Sequence, residues 1–543
     1  MSFMTRYLII TVLVVALLGG GYYFFSNDKN PIQDFAPTGK QTGEFSLDSD
    51  NVKSAEPSQI VELKNGDSFD LTAGVIKKEI NGKVVKMLGY NGSIPGPTIK
   101  IQKGSEITVN FKNEADVATT IHPHGVRVEN KFDGVVDVTQ PVVNSGETFT
   151  YKFRFPDEGV YWYHPHFRED YAQELGLYGN FLVAPTDENY YSPVNRELNL
   201  FLDDILVDGS GQIVPFNKDV ANRTLMGRFG NVMLTNGETN YQTNVDAGEV
   251  VRFYLTNAAS ARTFNVAIPN AKIKKVGSDN GKYEKEEFVD EVLLSPSERA
   301  IFEVLFESPG KYELISKTPQ KSYTLGIINV SNDQTATSYK SEFNTLRTNQ
   351  DVLALIDPLR NQFSKPTDKK LSLALDMMGN SLGGQNMGGE HMMMGGGMMG
   401  NSQMGMTDGT VQKIEWEDDM GEMNVMSNSN MMKWKLVDTA TNKSNMDIGW
   451  QFKKGDKVKI ALFNDQKSQH PMQHPIHLHG QKFLVLSTNG IQNTNLVFKD
   501  TVLVQTGDTV EILVDMENPG DWMIHCHISE HLEGGMMTQF KVD

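Results

Sequence analysis

Apolar residues recur at every second position in three places along the chain, each time after the same kind of turn. Lys103-Gly104-Ser105-Glu106 leads into Ile107, Val109 and Phe111, then Asn113. Ala247-Gly248-Glu249 leads into Val251, Phe253, Leu255 and Asn257, and Lys454-Gly455-Asp456 into Val458, Ile460, Leu462 and Asn464. Each reads as a turn feeding a half-buried strand of period two. A second motif follows in each copy: Asp157-Glu158-Gly159-Val160-Tyr161-Trp162, Ser308-Pro309-Gly310-Lys311-Tyr312 and Asn518-Pro519-Gly520-Asp521-Trp522. Internal repetition of this kind predicts an all-β chain of three tandem Greek-key β-sandwiches. We divide it at residues 57–188, 189–340 and 365–543.

The exception to this pattern is at the N-terminus. Arg6 precedes an apolar run from Leu8 to Phe25, followed by Ser26-Asn27-Asp28-Lys29-Asn30. At 1.5 Å per residue a helix over that run spans roughly 27 Å, about the thickness of a bilayer core. Two readings stand for residues 1–25: a retained signal-anchor or a cleaved signal peptide. Both place the remainder outside the cytoplasm, in a periplasm or at a cell surface, with the membrane touched only through residues 8–25. Residues 26–56 read as a flexible polar stalk.

The formal net charge of -18 and the lack of a basic stripe exclude nucleic acid as a partner. Cys526 is the only cysteine, so no internal disulfide forms. Oligomeric state is not set by anything in the sequence. The chemistry lies in the histidines. Ten of the 12 fall in four short motifs: His122-Pro123-His124-Gly125, His164-Pro165-His166, His474-Pro475-Ile476-His477-Leu478-His479-Gly480, and His525-Cys526-His527-Ile528-Ser529-Glu530-His531. Five residues after the motif glycine stand His164, Ile315 and His525, so the outer repeats carry ligands and the middle one does not.

Side chains on a strand alternate faces, which sorts these donors. One face of the third repeat offers His474, Cys526, His531 and, ten residues after the cysteine, Met536. The other offers His477, His479, His525 and His527, to which the first repeat adds His122, His124, His164 and His166. One thiolate, two imidazoles and a weak thioether are the residue types of a blue-copper site. Eight imidazoles suit three further metal ions across a domain interface. Zinc explains neither a thiolate wedged between two other ligands nor an axial methionine. His391 stands alone and is left outside the set.

With these four motifs in this order, residues from about Gln59 to Asp543 resemble the three-domain multicopper oxidases, the family of laccases and bacterial cuprous oxidases. The resemblance implies three cupredoxin-like domains and four copper ions. Type 1 copper would take His474, Cys526, His531 and Met536; type 2 copper His122 and His477; the type 3 pair His124, His164, His166, His479, His525 and His527. A methionine on the axis implies a potential below that of high-potential fungal laccases. The implied reaction takes four single electrons at type 1 copper and turns dioxygen into two waters. Asp133, in Phe132-Asp133-Gly134, occupies the family's position for an acid near the cluster, and Asp500 that of a residue orienting a type 1 histidine. The acid that follows the last type 1 histidine in cuprous oxidases is replaced here by Leu532; Glu533, beside it, would face elsewhere.

Sixteen of the 26 methionines lie between Met377 and Met446, among glycines and asparagines with no amphipathic period, and read as a flexible loop inserted in the third domain. Thioethers favour Cu(I). The insert resembles the methionine-rich segment of cuprous oxidases, which implies an additional labile substrate Cu(I) near Asp376 and Met472, with His470 where that subfamily has an aspartate. The expected activity is oxidation of Cu(I) with O2 as acceptor, for copper tolerance. The rival is a laccase-like oxidation of phenols or aromatic amines, the reductant then being a small aromatic. A third class, a non-catalytic copper-binding protein, gives no reason for all ten ligand histidines and the cysteine to be present.

Overall fold

The structure, a computed structural model, describes residues 47–377, 406–407, 410–420 and 432–543. The apolar run 8–25, most of the stalk, His391 and most of the methionine-rich insert lie outside the described residues. Among the described residues no helix is long and apolar enough to cross a membrane.

Nearly all regular structure is β, as the period-two pattern requires. Ile107, Val109 and Phe111 are buried along Glu106–Glu114 while the residues between them face outward. The sheets come in pairs, each drawn from one stretch of chain. Residues 60–184 supply a five-stranded sheet ending in Gly159–His164 and His122–His124, and a four-stranded sheet containing Glu106–Glu114. Phe153 of the second meets Phe181 of the first edge-on at 5.7 Å. Residues 196–334 supply a six-stranded and a five-stranded sheet sharing one core, with Leu200, Phe253 and Phe302 facing Val245, Phe264 and Leu314. Residues 369–542 supply the last pair, in which Leu373, Trp434 and Ile460 pack with Ile476, Trp522 and Phe540.

Two expectations need correction. Residues 53–56, assigned to the stalk, are already tied to the first sheets: Ala55 N–H donates to Lys77 O and Glu56 N–H to Gly92 O, both at 2.8 Å. The insert is also shorter than its methionines suggested. Met432–Asp438 is a core strand paired with Lys369–Met377, burying Met432, Trp434 and Leu436 between outward Lys433 and Lys435. Counting methionines hid that alternation. Farther back, Ile414 and Trp416 are buried, and Arg262 Nη1 donates to Trp416 O at 2.9 Å.

Three short helices meet where the repeats join. Ser529–Glu533 touches both Glu169–Ala172 and Val220–Met226. Ion pairs also tie the first and last stretches: Lys482 to Asp157 at 2.8 Å and Arg127 to Glu517 at 2.6 Å.

Candidate metal centre

Strand register places the donors. His474–Leu478 runs antiparallel to Gly520–Cys526 with Ile476 opposite Cys526 and His477 opposite His525. His122–His124 runs antiparallel to Gly159–His164 with His122 opposite His164. Two of the four histidine motifs then turn sharply at a glycine with positive φ. At Gly125 (φ +79°) a Cβ would fall 2.3 Å from an Asp500 carboxylate oxygen, and at Gly480 (φ +64°) 2.3 Å from the Trp522 ring, so neither position admits a side chain.

On one side of the sheet the Cys526 Sγ lies 3.5 Å from His474 Nδ1 and 3.6 Å from His531 Nδ1, and the two Nδ1 atoms are 3.2 Å apart. Ile528 N–H points at the sulfur at 3.5 Å. Met536 is fully buried in the same core, its carbonyl accepting from Cys526 N–H at 3.0 Å. Burial pushes the thiol pKa well up and holds both imidazoles low, His531 at about 3. The imidazoles are therefore neutral and ready to ligate, and a cation bound here would expel the thiol proton.

The eight remaining imidazoles gather on the opposite side. His122, His124 and His477 form one group, His124, His164 and His527 a second, and His166, His479 and His525 a third; within each group the ligand atoms lie within 4.8 Å of one another. Four of their eight Nδ1 atoms are committed. His122 donates to Asp133 O at 2.7 Å, His477 to Asp500 O at 2.8 Å, His479 to Asp133 Oδ2 at 2.8 Å and His525 to Cys526 O at 2.9 Å. These bonds fix the tautomer and leave the Nε2 lone pairs bare. His124 is reversed: its Nε2 meets Asp500 Oδ1 at 3.1 Å and its Nδ1 is free.

The fit to metal follows from what is left over. His122 Nε2, His124 Nδ1, His166 Nε2, His477 Nε2 and both ring nitrogens of His164 and His527 are buried without a hydrogen-bond partner. His479 Nε2 and His525 Nε2 face each other at 2.9 Å, both bare once their Nδ1–H groups donate. Burial first, and neighbouring imidazoles second, hold the pKa of His124, His164, His166, His477 and His479 well below the usual value; burial alone leads at His525, held at about 4. A buried cage of neutral, converging lone pairs is stable only around cations.

Other sequence candidates fall as follows. Asp133 is buried, with one carboxylate oxygen on His479 and the other 3.4 Å from His122 Nδ1. Asp500 does not lie against a type 1 histidine, which corrects the expectation. Its carboxylate holds His124, its carbonyl holds His477, and the acid is gripped by Arg299. Spacing along Phe498-Lys499-Asp500 could not say which face the strand would present. Asp376 is ion-paired with Lys435, while His470 is buried with its Nε2 unpartnered, 6.3 Å between ring centroids from Trp434. Met472 is fully buried.

Two residues escaped the sequence reading. Arg299 opens a mostly apolar strand of the middle repeat, Arg299–Leu305, whose other charge is Glu303, and a charge in such a strand was the available signal. Glu169, three residues after His166, is fully buried with neither carboxylate oxygen hydrogen-bonded, 3.7 Å from His166 Nδ1.

A thiolate site on one side of a strand and an imidazole cage on the other, carried on paired β-sheets, define a redox copper protein. Comparison with known proteins points the same way. Residues 73–188 and 417–543 match sequence families described as multicopper oxidase. The chain is 27% identical over 485 residues to a multicopper oxidase of Staphylococcus aureus, covering 88% of each, and 24% identical to copper resistance protein A of Escherichia coli, covering 92% of this chain and 96% of that one. A solved multicopper oxidase of Campylobacter jejuni, described as a metallo-oxidase, superposes with a TM-score of 0.66 at 26% identity, covering 92% of this chain and 99% of that one. The chain belongs to the three-domain, laccase-like multicopper oxidases. It is accordingly an oxidoreductase whose cofactor is copper, in type 1, type 2 and type 3 sites.

Proposed function

We propose that this chain is an extracytoplasmic oxidase that couples four one-electron oxidations, of Cu(I) foremost, to the reduction of O2 to water, and so confers copper tolerance. The observation that carries the reading is the opposition of Cys526 to His525 and His527. The sulfur meets His474 and His531 on one side, while the two neighbouring rings join the imidazole groups on the other.

On this reading His474, Cys526, His531 and Met536 would hold type 1 copper, His122 and His477 type 2 copper, and His124, His164, His527 with His166, His479, His525 the type 3 pair. Bound copper would supply the one-electron relay and the site of dioxygen reduction. The chain supplies the path and the shape. His525 and His527 are joined to Cys526 by single peptide links, so two short covalent routes lead from the thiolate to the cage. The carbonyls of Asp133, Asp500 and Cys526 orient three of the rings, and the Asp133 carboxylate orients His479 and is placed to hold a proton beside His122. We divide the chain into domains at the boundaries given above, except that the first begins at residue 53, with the last domain's core resuming at Met432.

Support for a cuprous substrate comes from the methionine-rich insert and from the likeness to a copper resistance protein. Asp376 is engaged by Lys435, so His470 and Met472 are the better candidates to receive substrate copper. The apolar segment 8–25 supports a place outside the cytoplasm. The test is copper counting with visible and EPR spectra, then steady-state turnover of stabilised Cu(I) against a phenol, in the wild type and with residues 380–405 deleted. That deletion spares the packed segment around Trp416. Four tightly held coppers and a loss of cuprous turnover on deletion are expected. Phenol turnover far exceeding cuprous turnover would sink the cuprous reading.

A further inference from the structure

The two histidines facing Cys526 are roofed by elements from two different repeats. Trp434, itself fully buried, lies over His531 with ring centroids 4.2 Å apart and planes inclined by 34°, and stands edge-on to His474 at 5.0 Å. Its indole Nε1–H donates to Thr224 O at 2.6 Å. The outer nitrogen of His531, Nε2, donates to the next carbonyl, Leu225 O, at 3.0 Å. Thr224 and Leu225 belong to the last turn of Val220–Met226, where helix carbonyls lack an intrahelical partner and readily accept other donors.

The roof is anchored through its own backbone. Trp434 N–H donates to Gly534 O at 3.0 Å, and Trp434 O accepts from Asn445 Nδ2 at 3.1 Å. The strand carrying it is paired along its length with Lys369–Met377. Packing against two imidazoles and a latch onto a helix from another repeat leave the indole one well-held position.

Electron transfer from a planar aromatic is fastest when the ring can touch or stack on a ligand imidazole. Here the face of His531 is occupied by an indole and its outer nitrogen by a carbonyl. We propose that Trp434, latched to Thr224, is a specificity-determining residue that keeps aromatic reductants off the type 1 histidines and reserves the site for single metal ions. The proposal rests on the copper assignment above and deepens it: a metal ion needs only a few soft donors beside the site, and a phenol needs the surface that Trp434 covers. His470, buried next to Trp434 with a free Nε2, is a donor of the first kind.

The experiment compares copper-loaded full-length wild type with Trp434→Ala and Trp434→Phe. The second variant keeps the ring and removes only the N–H latch, so it remains informative where the larger truncation fails to load. The measurements are copper content, the visible thiolate-to-copper band, kcat and KM for 2,6-dimethoxyphenol and for stabilised Cu(I), and paramagnetic broadening of the proton resonances of 4-nitrophenol, a poor reductant. The expected result is a band retained in every protein and a ratio of phenol to Cu(I) kcat/KM raised about tenfold or more in Trp434→Ala and less in Trp434→Phe, carried mainly by a lower phenol KM. Broadening of 4-nitrophenol should appear in Trp434→Ala and be absent in the wild type. An unchanged ratio and unchanged broadening with the band intact would overturn the roof while leaving the copper assignment standing. Copper-loaded wild type without the band would overturn the assignment and the roof together.

Discussion

Arg299, from the middle repeat, grips Asp500, from the third, inside the protein: Nη1 donates to Oδ1 at 2.7 Å and Nη2 to Oδ2. The same guanidinium donates from Nε to Val160 O at 2.8 Å, on the strand that ends in His164, and from Nη1 to Ser297 O at 3.0 Å. Asp500 in turn holds His124 and His477. One buried fork thus binds all three repeats together beside the imidazole cage. Among the described residues the middle repeat adds no donor to the converging groups, and this fork is what it adds beside them.

Arg299→Gln should therefore damage the cage before it damages the Cys526 site. Breaking a buried pair by removing one partner typically destabilises by about 3–5 kcal/mol, and losing a residue that orients ligands lowers metal affinity or activity by about 10–100-fold. The visible thiolate band should persist while type 3 copper content falls. Arg299→Lys retains the charge without the fork and should lie between the two. Copper counting and EPR check this.

Cys526→Ser removes one face of the arrangement and leaves the other. The expected protein holds about three coppers, lacks the visible band, keeps the EPR signal of the type 2 ion, and does not turn over. Loss of all copper would show that the two faces do not assemble independently.

Removing copper leaves a cage of bare, buried nitrogens and should lower the melting temperature. A ligand present at about 1,000 times its Kd stabilises by about 4 kcal/mol per site, so chelation should shift calorimetric unfolding downward and readdition of copper should restore it.

Asp203 provides a stability test away from the ligands. Burial, with the neighbouring Asp204 charge, raises its pKa from 3.8 to about 8, and Tyr178 Oη–H donates to it at 2.8 Å. Between those values the folded chain holds a proton that the unfolded chain has lost, so this group's contribution falls as pH rises from about 4 to about 8. Asp203→Asn should match the wild type near pH 4 and gain on it progressively toward pH 8. Melting temperatures across that range decide it; a constant offset would show that the carboxyl is not protonated in the fold.

Much of this protein is written locally. Period-two alternation after a glycine turn identifies the strands, because an apolar face every second residue can only be buried against a sheet. Parity along Gly520–Cys526 and His474–Leu478 assigns each donor to a face for the same reason. Alternation also marked Met432, Trp434 and Leu436, although the methionines around them obscured it. Relations between distant segments were another matter. Asp500 was singled out only by family resemblance, and packing put it on His124, 376 residues away, rather than on a type 1 histidine. Arg299 was one of two charges in a mostly apolar strand until the repeats closed around it, and Trp434 became a roof only through a helix that precedes it by some two hundred residues. Covalent geometry repeats every two residues and can be read along the chain. Which backbone carbonyl or carboxylate meets a given ring depends on how separately folded sheets dock, and that is settled only when their surfaces meet.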